Sequence, residues 1–105
     1  RILDFEEVPV DISIKLWISP NYDAAQVAQR AEQVLREELR KVEAARQLYP
    51  SDIYDLIKRN VPGVVKADLD LLARSGETGV EPIICEPYEI IVEGTVTVQV
   101  EEYGG

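Results

Sequence analysis

Between Val8 and Ile18 the side chains alternate without a break. Val8, Val10, Ile12, Ile14, Leu16 and Ile18 share one parity, and Pro9, Asp11, Ser13, Lys15 and Trp17 share the other. Successive side chains of an extended chain point to opposite sides, so this run predicts a strand with one aliphatic face and one mostly polar face. A sheet built on such a strand is covered on one side only, which points to an α+β layered structure rather than a parallel sheet wrapped on both faces. Pro9 lacks an amide hydrogen, so the start of the strand is expected at an edge or ahead of the ladder.

The period changes after the turn residues Ser19 to Asp23. Val27, Ala31, Val34, Leu35, Leu39 and Val42 recur at spacings of three and four, with Arg30, Gln33, Arg36, Glu37, Arg40 and Lys41 between them. This is an amphipathic helix of about five turns, capped by Asp23 or Asn21 through its free amides. Glu32 with Arg36 and Glu37 with Lys41 have the favourable order for exposed ion pairs, each worth about 0.2 to 0.5 kcal/mol. A second, shorter helix is predicted from Asp52 to Asn60, with Ser51 as N-cap and Ile53, Leu56 and Ile57 inward. Val61-Pro62-Gly63 ends it, because proline disfavours helical geometry in the residue before it and glycine permits a sharp turn.

A second strand follows, with Val65, Ala67, Leu69 and Leu71 expected on one face and Lys66, Asp68 and Asp70 on the other. Arg74 to Gly79 is loop chemistry. Pro82 and Pro87 interrupt the apolar runs between Val80 and Val92, which predicts an irregular extended arm. Thr95 to Glu101 is a third strand with Val96, Val98 and Val100 inward. The expected architecture is a two-layer α+β sandwich in the order β-α-α-β-β. A small sheet carries both helices on one face, and one core contains Ile12, Ile14, Leu16, Leu39, Leu56, Leu69 and Val98. The 105 residues fit a single domain, with 1–7 and 101–105 as flexible ends. Because the chain opens on Arg1 and is strand-like by Val8, it is expected to be a piece of a longer protein.

Twenty acidic against eleven basic residues give a net charge of −9, which disfavours partners bound by neutralising phosphates, so neither nucleic acid nor an anionic membrane is expected. No apolar run has the length of a membrane-spanning helix. One cysteine allows no internal disulfide and suits a reducing compartment, so cytoplasmic residence is expected. Histidine is absent, which removes the commonest general base, nucleophile activator and metal ligand. Asp68 and Asp70 on one strand face offer a hard cation two carboxylates, but the remaining ligand spacing is missing, and a solvated outer face accounts for them. Cys85, in the run Ile83-Ile84-Cys85, reads as a buried structural thiol. Gly76 and Gly79 serve a turn, since no Gly-Lys-Ser/Thr follows to make a phosphate loop. No catalytic residue, cofactor or metal is therefore expected. Trp17 stands out on a polar face and calls for cover, either from the arm at Val80 to Val92 or from another subunit.

Three segments in a fixed order carry a family resemblance: Val8 to Leu16; the helix opened by Tyr22-Asp23; and Leu48-Tyr49-Pro50-Ser51-Asp52-Ile53-Tyr54-Asp55-Leu56-Ile57 followed by Val61-Pro62-Gly63-Val64. They resemble the C-terminal domain of baseplate J-type proteins, which include the Mu-like phage baseplate protein and relatives in contractile injection systems. The likeness covers about residues 8 to 72, and more loosely Pro87, Glu89 and the strand Gly94 to Val98. Family members often carry a glycine between the helices, where this chain has Ala44-Ala45-Arg46-Gln47, so a longer or more helical connection is expected here. The resemblance implies an assembly role in a phage tail or injection apparatus, with other baseplate or tail subunits as partners and no known active site. A ligand-binding regulatory module of a larger enzyme is the alternative. Trp17, Ile83, Ile84, Tyr88 and Ile90 are the candidate interface residues, and the isolated chain is expected to be a monomer or weak dimer.

Overall fold

A computed structural model describes residues 6–40 and 47–103. The element order is β1 (Glu6–Ile18), α1 (Ala24–Leu39), β2 (Gln47–Leu48), α2 (Pro50–Asn60), β3 (Val64–Arg74), β4 (Ile83–Ile84) and β5 (Glu89–Glu102). β1 is the centre of a three-stranded sheet in the order β3-β1-β5, antiparallel to β3 and parallel to β5. β2 and β4 form a separate two-stranded ribbon.

The alternation in β1 has the predicted consequence. Val8, Val10, Ile12, Ile14, Leu16 and Ile18 are all buried, and they share one core with Val27, Ala31, Val34, Leu35 and Leu39 of α1 and with Ile53 and Ile57 of α2. Both helices therefore lie on the same side of the sheet. Leu69 is also buried in this core, and Leu56 and Val98 pack against it half-buried. Truncating Ile14, which is fully buried, to Ala removes packing worth about 2 to 5 kcal/mol.

Asp23 caps α1, accepting from the amides of Ala25 at 2.8 Å and Gln26 at 3.3 Å. Val42, Lys41 and the Ala44 to Arg46 connection lie outside the described residues. α2 begins earlier than Ser51 allows. Pro50 occupies its first turn, where a missing amide hydrogen is harmless, and the Asp52 carboxylate accepts from the Tyr49 amide at 2.9 Å. Ser51 is thus inside the helix and not its cap.

Two register shifts in the β1–β3 ladder overturn the expected faces of β3. Ser13 pairs with Leu71 but Ile14 with Leu69, leaving Asp70 as an extra residue, and Trp17 pairs with Lys66 but Ile18 with Val64, leaving Val65 extra. Each inserted residue reverses the parity beyond it. Leu72, not Leu71, therefore joins the core, and Val65 is exposed.

The strands run further than expected. β1 includes Glu6 and Glu7, and β5 begins at Glu89 and continues through Glu102. Much of the predicted arm is thus regular: Val80 bridges Leu72, Ile83–Ile84 pairs with Gln47–Leu48, and Glu89 onward is strand. Pro9 lies inside β1, opposite Val92. It is tolerated because β3 reaches only as far as Val10, and the Pro9 carbonyl accepts from the Ser75 amide at 2.9 Å. Among the described residues no helix is long and apolar enough to cross a membrane.

Candidate interaction surfaces

With both helices on one face, the other face of the sheet carries the odd-numbered residues of β1: Asp11, Ser13, Lys15 and Trp17, all half-buried. No layer of described structure lies on it. The arm does not cover Trp17, because it joins the sheet at the opposite end, where Glu6 and Glu7 pair with Glu89 and Ile90. Trp17 is flanked instead by Lys66 on β3 and Glu101 on β5. The ammonium groups of Lys15 and Lys66 sit 5.2 Å and 4.8 Å from its ring centre, a cation–π pair on an aromatic still reachable from solvent. Lys15 also pairs with Glu101 at 3.3 Å.

The other candidate interface residues separate. Ile90, opposite Glu7, lies on the same open face as Trp17, roughly 33 Å away along β1 at about 3.3 Å per residue. Ile84 and Tyr88 are each 55% exposed, on the ribbon and on the turn before β5. Ile83 is only 4% exposed and is committed to the core, so it does not belong to any surface. The ribbon explains this split: its two residues face opposite ways, and Leu48 and Ile83 are the inward pair.

Three polar clusters hold the elements that frame this face. Asp11 Oδ1 accepts from the Thr95 amide at 2.8 Å and the Ser75 hydroxyl at 2.9 Å. It does so where β5 has an extra residue, since Val10 pairs with Glu93 but Ile12 with Val96. Gly94 lies in this bulge, and a Cβ there would fall 2.5 Å from both the Val10 carbonyl oxygen and Asp11 Oδ1. Arg74 donates to both carboxylate oxygens of the buried Glu89, at 3.2 Å and 3.5 Å, and to the Ile84 carbonyl at 3.1 Å. The Glu86 amide, first, and the Arg74 guanidinium hold Glu89 below the usual carboxylate range. Arg36 at 2.6 Å and Arg40 at 2.8 Å converge on Glu93, whose carboxyl is likewise held low, chiefly by Arg36. Arg36 also makes the predicted pair with Glu32 at 3.2 Å. The Glu37–Lys41 pair lies outside the described residues. These clusters tie α1 and the end of β3 to β5.

Residue order alone does not mark Asp11 or Gly94 as a fixing point. The available signal is a glycine within a strand rich in β-branched residues, which marks a bulge or a close backbone approach.

The chemistry-bearing residues stay apart. Asp68 faces Lys15 across the ladder and Asp70 is the bulged residue, so the two carboxylates do not form a pair on one regular strand face. Among the described residues no three His, Cys, Asp or Glu side chains converge on a point that could hold a metal ion. Cys85 is half-buried against the core rather than fully buried. Gly76 and Gly79 have positive φ in the turn after β3, and the Gly79 carbonyl accepts from the Leu72 amide at 2.9 Å.

The Val61-Pro62-Gly63 turn packs on the loop after β1. Gly63 has φ +91°, the Tyr22 ring occupies the space a Cβ would need, and its carbonyl accepts from the Ser19 amide at 3.0 Å. A depression of about 340 Å³ beside it is lined by Tyr22, Asp23, Gln26, Val27, Arg30, Val61 and Pro62. Its charged groups are already engaged: Asp23 caps α1 and Arg30 donates to the Asn60 carbonyl at 3.3 Å.

In comparison with known protein families, the family model for the baseplate J-like protein C-terminal domain matches residues 10–99. No curated protein matches the chain.

Proposed function

Because the chain belongs to the baseplate J-like protein C-terminal domain family, we propose that it is a structural assembly domain of a phage or prophage baseplate protein, or of a related contractile injection apparatus. It acts through contacts with other baseplate or tail subunits, and its working place is the tail or injection apparatus, after assembly in the cytoplasm. The observation that carries this reading is the uncovered outer face of the three-stranded sheet, with Trp17 at one end and Ile90 at the other. A half-open aromatic on a face with no covering layer is what a partner subunit fills.

The regulatory-module reading requires a pocket with convergent, unengaged polar groups. The depression beside Tyr22 does not offer such groups, because its carboxylate and guanidinium are occupied by helix capping and a backbone carbonyl. The test is reconstitution of the baseplate from the full-length parent carrying Trp17→Ser, alone and with Ile90→Glu. Assembly should fall while the chain's circular dichroism and melting stay near wild type. Normal assembly with both changes in place would overturn the proposal.

A further inference from the structure

The start of β1, the end of β3 and the start of β5 meet at one end of the sheet, where Val10 pairs with Arg74 and Glu6 with Glu89. The chain between β3 and β5 is fastened across this end. Arg74 donates to the Ile84 carbonyl and to Glu89, Glu89 accepts from the Glu86 amide at 2.9 Å, and the Glu6 amide donates to the Tyr88 carbonyl at 2.8 Å. The pairing of Ile83–Ile84 with Gln47–Leu48 adds a second attachment. Fixed in this way, the segment leaves three apolar side chains in solvent: Val80, 39% exposed, and Ile84 and Tyr88, 55% each. A surface already held in one conformation costs little to order when a partner binds.

The charge around those side chains is of one sign. Glu6, Glu7, Glu77, Glu81 and Glu86 are all exposed, and none makes an ion pair with a described residue. The cations nearest to them along the ladder are committed, Arg74 to Glu89 and both Arg36 and Arg40 to Glu93. Elsewhere opposite charges meet, as Lys15 does with Glu101 and Arg36 with Glu32. Much of the net charge of −9 therefore acts at this end as an uncompensated negative field around exposed apolar groups.

We propose that this end docks a protein surface on which lysine or arginine surrounds an apolar side chain. Val80, Ile84 and Tyr88 supply the apolar contact, and the glutamates select the sign of the partner. Phosphate-bearing partners are repelled, and so is a second copy of the chain presenting the same end. A bare metal ion is not suited, since among the described residues no three carboxylates converge on one point. The proposal deepens the assembly reading, on which it rests for the partner's being another subunit, and names that subunit's chemistry. The end is continuous with the outer face of the sheet through Ile90, opposite Glu7. Opposite charges speed such an encounter, and salt weakens it.

The experiment is a titration of the 105-residue chain with a synthetic peptide of alternating lysine and leucine, followed by amide chemical shifts at low and high salt. An all-lysine peptide of the same length and calcium chloride alone are the comparison probes. Shifts should centre on Val80 to Ile90 and on Glu6 and Glu7, and affinity should fall about tenfold from low to high salt. Ile84→Ser with Tyr88→Ser should weaken binding about tenfold through the lost apolar contact. Glu77→Gln with Glu81→Gln should weaken it and flatten its salt dependence. Both pairs alter exposed side chains and should melt near wild type. Absence of shifts, shifts centred on α1 or Trp17, or an affinity indifferent to Ile84→Ser with Tyr88→Ser overturns the proposal. So does equally tight binding of the all-lysine peptide or of calcium at these residues. Failure here leaves the baseplate proposal to its own reconstitution test, and failed reconstitution with Trp17→Ser does not disturb peptide binding seen at this end.

Discussion

Asp11 is the residue whose loss should reveal most about how the sheet is fixed. Its Oδ1 holds the Thr95 amide and the Ser75 hydroxyl, and so pins the bulge of β5 and the turn after β3 to the central strand with one atom. A hydrogen bond to a charged group contributes about 1.5 to 3 kcal/mol when well shielded, and a half-buried carboxylate with two partners belongs near 2 kcal/mol in all. Asp11→Ala should therefore lower the urea midpoint by about 1 M at an m-value of ~2 kcal/mol per M. In thermal melting the same loss is about 10 °C for a domain of this size. Ser75→Ala, which removes the hydroxyl bond alone, should cost about 1 kcal/mol or less. Gly94→Ala supplies the complementary perturbation, since its Cβ meets the Val10 carbonyl as well as Asp11 Oδ1 at 2.5 Å. The carbonyl belongs to the ladder and cannot withdraw, so removing the carboxylate should not rescue Gly94→Ala. An Asp11→Ala midpoint indistinguishable from wild type, or a double variant more stable than Gly94→Ala alone, would refute this account of the bulge.

Gly63→Ala should destabilise by about 2 kcal/mol or more, since it combines a positive φ with a Cβ inside the Tyr22 ring, and pairing it with Tyr22→Ala should relieve only the steric part. Leu72→Ala should cost about 2 to 5 kcal/mol in chemical denaturation and Leu71→Ala clearly less, which checks the bulge at Asp70. Glu89 and Glu93 have folded pKa values below their unfolded ones, so their stabilisation is fully present above the unfolded value of about 4.3 and is lost as pH falls through the lowered folded values. Denaturation midpoints followed from pH 7 downward should fall less steeply below about pH 5 in Glu93→Gln than in wild type.

The elements with a regular period were legible from residue order alone. β1 was, because its central place buries one parity from Val8 to Ile18, and α1 was, because its apolar stripe packs along β5 into the shared core. Failures occurred where a single inserted residue changes parity. Asp70 and Val65 shift β3, and Gly94 with Thr95 shifts β5. A bulge is set by which strand lies opposite, and that neighbour is absent from local sequence. β5 also starts earlier than its alternation suggests, since Glu89, Ile91 and Glu93 face the helices before the bulge and Val96, Val98 and Val100 after it. No single alternation runs through both halves. The interface residues divided for the same reason. Trp17 was recognisable as an aromatic on a polar strand face, but Ile83 and Ile84 are adjacent apolar residues, and only the pairing with Gln47–Leu48 decides which turns inward.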